Sequence, residues 1–137
     1  MTTEQINDWR YPPVPQSIQE VLKNHPELIA HLEWALRDDD WRMSNSLSLS
    51  HRVERIHSIT EYLKDGLSNM SVKARAKLEA AQASGDEVAI AAAIAEREAI
   101  TQAIIFNNSS RGWDEFMDFY GLESLGLGRG MRIKEGK

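Results

Sequence analysis

The chain has no cysteine, and its stretch from Glu27 to Arg111 has no proline. Without cysteine there are no disulfide staples, no thiolate metal site and no cysteine nucleophile. That usage is compatible with a reducing cytoplasm, which is the expected location. All four prolines (Pro12, Pro13, Pro15, Pro26) precede the stretch, and of eight glycines only Gly66 and Gly85 fall inside it. Proline breaks helix interiors, and glycine costs about 1 kcal/mol per helical site relative to alanine. The middle of the chain is therefore built for helices, with Gly66 and Gly85 expected at helix ends. Long apolar runs are missing too. The least polar run, Val88 to Phe106, is rich in alanine and has three charges at its centre, which excludes a membrane span. Met1 to Arg10 is polar and has no apolar h-region, so no signal peptide is expected.

What is present is a chain of 137 residues, 42% hydrophobic and 27% charged, enough for one domain with a real core. The net charge of −5 is uneven. Residues 126–137 hold four basic residues (Arg129, Arg132, Lys134, Lys137) against Glu135, a local +3 that leaves −8 on residues 1–125. An acidic body argues against general nucleic-acid binding, which depends on neutralising phosphates.

Periodicity lays out the elements. Residues 1–16 read as an extended arm, in which Tyr11-Pro-Pro-Val-Pro15 favours polyproline II. Such an arm is either a ligand for an aromatic groove or a stiff leader held down by Trp9, Tyr11 and Val14. Ser17-Ile-Gln-Glu20 has the form of a capping box opening a short helix to about Lys23. Pro26 presets a second helix with a stripe of Leu28, Ile29, Leu32, Ala35 and Leu36. A third helix is expected to end at Gly66, with Leu49, Val53, Ile56, Ile59, Leu63 and Leu67 inward. A fourth spans about Ser71 to Ala83. Gly85-Asp86 then makes a tight turn, with Asp86 as N-cap of a fifth helix running from about Glu87 to Asn107.

That fifth helix is apolar nearly all round. Val88, Ala92, Ala95, Ala99, Ala103 and Phe106 form one face, Ile90, Ile94, Thr101 and Ile105 a second, and Ala89, Ala93, Ile100 and Ile104 much of a third. A helix with no polar face is buried on every side. It is expected either at the centre of the bundle or against its own copy in a homodimer, the preferred reading, through Ala92, Ala95, Ala99, Ala103, Ile90 and Ile94. Trp113, Phe116, Met117 and Tyr120 follow at i, i+3, i+4, i+7 on a last short helix stopped by Gly121. The fold class is all-α: a single-domain helical bundle of five or six helices with a central antiparallel hairpin over 17–125, preceded by the arm and followed by a flexible basic tail over 126–137.

No catalytic constellation is complete. Glu54, His57 and Glu61 share one helix face, the spacing by which di-iron bundles hold metal, but no second Glu-x-x-His exists and the face lies away from the apolar stripe. These three are the alternative metal reading, that of a small all-α metal-dependent hydrolase. Glu96-Arg97-Glu98 interrupts the apolar helix and calls for charge partners, from Arg52, Arg55, Arg75 or a symmetry mate. No pair of histidines has zinc-helix spacing, and Gly126-Leu-Gly-Arg-Gly130 has no strand before it or helix after it to make a phosphate loop. Arg52, Arg55, Lys73, Arg75 and Lys77 form a basic set that would serve a nucleic-acid-binding module, a further alternative disfavoured by the acidic body.

Trp and Tyr dominate interface hot spots. Trp41, Trp113, Phe116, Phe119 and Tyr120, with Arg129 and Arg132, are therefore the candidate partner-binding residues. Together these features point to a non-enzymatic interaction protein, an adaptor, inhibitor or assembly factor acting as a helical dimer on another protein, without cofactor, nucleic acid or membrane. Its small size and lack of motifs suit a phage or mobile-element accessory protein.

Overall fold

The computed structural model describes residues 9–37, 48–108, 110–126 and 129–134. Among them are five helices: α1 Gln16–Val21, α2 Pro26–Leu36, α3 Leu49–Ser84, α4 Glu87–Asn107 and α5 Ser110–Phe119. Two short antiparallel strands follow, β1 Leu122–Ser124 and β2 Met131–Ile133, with Leu122 opposite Ile133. The fold is an all-α bundle around an antiparallel α3–α4 hairpin.

Pro12 to Pro15 form no regular element, and Val14 is buried in the same core cluster as Ile18 and Leu22. The expected capping box does not form. Helix α1 begins two residues earlier, capped at Pro15 and not Ser17, with the Pro15 carbonyl accepting from the Ile18 and Gln19 amides, both at 3.0 Å. Ser17 then sits inside the first turn, and its buried hydroxyl has no hydrogen-bond partner among the described residues. Helix α2 starts on Pro26, as the fixed proline φ favours, and buries Leu32 and Leu36.

The largest departure from the sequence reading is α3. The expected third and fourth helices are one helix of 36 residues, about 54 Å long at 1.5 Å per residue. Gly66 is not its end. It is buried at mid-helix, where an added Cβ would lie 3.1 Å from Leu32 Cδ2 and 3.7 Å from Ala35 Cβ. The missing side chain lets α2 cross close to α3. Gly85 does end the helix, in the left-handed region at φ 73°, and Asp86 caps α4 by accepting from the Val88 and Ala89 amides at 3.0 and 3.3 Å.

The main core joins Ile56, Ile59, Leu63, Leu67 and Met70 of α3 with Leu32 and Leu36 of α2, Ile18 of α1, Ile100 and Ala103 of α4, and Phe116 and Tyr120. The C-terminal segment is not simply a free tail. Met131–Ile133 pairs with β1, the Arg132 guanidinium bonds Glu123, and the Lys134 ammonium bonds Asp118.

Candidate interaction surface

The α3–α4 hairpin is long, and its partners cover only part of it. Near its turn a second, smaller cluster of Leu78, Ala81 and Ala93 stands apart from the main core. Between the two clusters lies a polar layer. Glu96 of α4, 7% exposed, has both carboxylate oxygens bonded by Lys77 Nζ of α3, at 3.2 and 3.3 Å. The lysine side chain is exposed, so the buried carboxylate keeps a cation without burying one. Glu96 therefore finds its partner in Lys77, not in Arg52, Arg55 or Arg75. The two residues lie at similar distances from the Gly85–Asp86 turn, and counting outward from that turn is the signal that would have matched them. Arg55 is instead buried under α2, where its guanidinium donates to the Leu36 carbonyl at 3.2 Å.

On one side of this layer the hairpin leaves an open groove of about 600 Å³. Alanines 80, 81, 89, 92 and 93 line it, and His25, Glu27, Lys77 and Glu96 bound it. His25, Glu27 and Glu96 bring one ligand atom each to within 4.8 Å of one another. The Lys77 ammonium already holds Glu96 there, which makes the cluster an ion-pair layer with a resident cation. Among the described residues no such grouping joins Glu54, His57 and Glu61. All three are exposed, and the His57 ring packs on Trp113 with centroids 4.9 Å apart.

Helix α4 is not the bundle's centre. It buries Ala93, Glu96, Ile100 and Ala103 and leaves its opposite side open. Val88 is 79% exposed, Ile105 55% and Ile94 40%, with Ala91, Ala92 and Ala95 exposed among them. The proposed alanine face does not point one way. Ala92 and Ala95 face outward, Ala99 is half-buried, and Ala103 is closed into the core with Ile18 and Leu22. Ala103 is thus unavailable to a second copy. Ile90 is half-buried beside Ala93, at the edge of the open side. A hollow of about 460 Å³ runs along that side, lined by Ile94, Arg97, Glu98, Thr101 and Gln102.

The C-terminal aromatics are mostly inward. Phe116 and Tyr120 are buried, so neither is a surface anchor. Tyr120 donates its hydroxyl to the Trp9 carbonyl at 2.7 Å, with the Trp9 ring 5.7 Å from its own. Arg52 donates to the Tyr120 carbonyl at 3.1 Å and stacks over Trp9, and burial there lowers the guanidinium pKa. Phe119 is half-buried with its ring edge-on to Tyr120 at 5.1 Å, and Trp113 is half-buried. Arg129 and Arg132 are exposed. Trp41 lies outside the described residues. The aromatic group is chiefly a clasp between arm and body, and large apolar side chains stand exposed on α2 (Trp34), α3 (Tyr62, Val72) and α4 (Val88, Ile94, Ile105).

Comparison with protein-family models, with curated proteins and with solved structures returns no match. Among the described residues no helix is long and apolar enough to cross a membrane.

Proposed function

We propose that the protein is a non-enzymatic, cytoplasmic interaction module that works as a helical homodimer and presents the rest of its surface to another protein, as an adaptor, inhibitor or assembly factor. One observation carries the reading: a 21-residue helix with apolar residues on every face is covered on only one side, leaving Ile94 and Ile105 open. Water contact along such a face is unfavourable by roughly 25 cal/mol per Å² of apolar surface, and a second copy removes it. The half-buried Trp113 and Phe119 and the exposed Arg129 and Arg132 are what remains, among the described residues, of the aromatic and basic set for a further partner.

The test is Ile94→Asp with Ile105→Asp, compared with the wild type by sedimentation and circular dichroism. Both positions are exposed in the single chain, so the variant keeps its helicity. The reading expects it to sediment as a monomer and the wild type as a dimer. A variant that dimerises like the wild type removes this face from the assembly.

A further inference from the structure

The open side of α4 also carries information about how a second copy lies on it. At about 100° per residue, Ile90, Ile94, Thr101 and Ile105 fall in a sector about 60° wide, roughly 130° from the centre of the buried face. Ile94 and Thr101 lie on its midline, seven residues apart, and Arg97 and Glu98 straddle that midline halfway between them. The step from Ile94 to the Arg97/Glu98 pair, and from the pair to Thr101, averages about 3.5 residues, the coiled-coil repeat. The Thr101 hydroxyl donates to the Arg97 carbonyl at 2.9 Å. It is satisfied within its own helix, so the residue can turn its methyl group to a partner at little cost. Arg97 and Glu98 are exposed and form no ion pair among the described residues.

We propose that two copies pair α4 against α4 in parallel, about a two-fold axis running along the helices, with Arg97 of each copy bonded to Glu98 of the other. The inference rests on the dimer reading above and fixes its geometry. Two helices related by a lengthwise two-fold set the left flank of one against the right flank of the other. Arg97 on one flank then meets Glu98 across the seam, twice by symmetry, while Ile94 meets Ile94 and Thr101 meets Thr101. Two antiparallel helices set like flanks together. Centred on the same layer, they would place Arg97 beside Arg97 and Glu98 beside Glu98. Like charges in contact disfavour that arrangement. The hollow along Ile94, Arg97, Glu98 and Thr101 is where the facing side chains enter.

The chain's lack of cysteine makes the geometry directly testable. Thr101→Cys and Ile94→Cys are made singly and oxidised. In the parallel dimer each new thiol faces its own copy within the short Cβ separation that a disulfide needs, and each variant runs as a covalent dimer without reductant. Arg97→Glu and Glu98→Arg each weaken the dimer by about tenfold or more, through like-charge contact. The double swap, Arg97→Glu with Glu98→Arg, restores it. A wild type that stays monomeric overturns the dimer reading itself. A wild-type dimer in which neither thiol cross-links and neither single reversal weakens association overturns the parallel register and leaves the dimer reading standing.

Discussion

Lys77 Nζ holds both carboxylate oxygens of Glu96, at 3.2 and 3.3 Å, at the point where the main core of the hairpin gives way to the small cluster near its turn. The carboxylate is buried and the lysine head is exposed, so the two ends of this pair contribute differently. Lys77→Ala strands a desolvated carboxylate and is expected to destabilise by about 1–3 kcal/mol, part of the direct Coulomb term being screened by water. Lys77→Met with Glu96→Leu removes both groups and is expected to cost less than Lys77→Ala alone. Urea melts of the two variants check the order. Equal losses would mean that the pair is a surface contact.

The same pair predicts the response to metal. A divalent ion at His25, Glu27 and Glu96 must displace the Lys77 ammonium, so Mn²⁺ or Zn²⁺ is expected to leave the wild-type melting temperature unchanged. A rise that Glu96→Gln abolishes would show that the ion wins this competition. It would bring back the hydrolase reading at these residues, away from Glu54, His57 and Glu61.

Gly66 sets how close α2 and α3 approach. With Leu32 Cδ2 3.1 Å from where a Cβ would sit, Gly66→Leu overpacks the crossing and is expected to destabilise by about 2 kcal/mol. Gly66→Ala sets a helix-propensity gain of about 1 kcal/mol against a contact needing only a few tenths of an ångström of relief. It is expected to lie much closer to neutral. Thermal melts distinguish this from a glycine that ends a helix, where alanine and leucine would both be strained by a positive φ.

Tyr120 ties the arm to the body through its hydroxyl on the Trp9 carbonyl. Tyr120→Phe keeps the buried ring and removes that bond, with an expected loss of about 1 kcal/mol. Amide exchange is expected to quicken around Trp9 and Arg10 and to stay unchanged in α3. A uniform quickening would mean that the arm and the bundle open together.

The hairpin was legible because its signals are local. The Gly85 turn, the Asp86 cap and the proline at the start of α2 each act within a few residues. Gly66 resembles a helix end in sequence because glycine is unfavourable in a helix interior. The longer pattern argues against a break: Ile59, Leu63, Leu67, Met70, Ala74 and Leu78 keep one period straight through it. The reason for glycine there lies on another helix, at Leu32 and Ala35, and no local window contains it. Glu96 was legible as a charge needing a partner, and counting outward from the Gly85–Asp86 turn along the hairpin leads to Lys77. Tyr120 and Phe116 could be placed on an apolar stripe from spacing alone. Spacing does not say whether a stripe faces its own core or another molecule. For α4, apolar on all sides, the same ambiguity was itself the clue.

Light scattering of the wild-type chain across a dilution series decides whether α4 meets its own copy. A homodimer gives a stable mass near twice 15.5 kDa that falls toward one chain only on strong dilution, and this is the expected result. A mass of one chain at every concentration would contradict it, and the open face of α4 would then need an occupant other than its own copy.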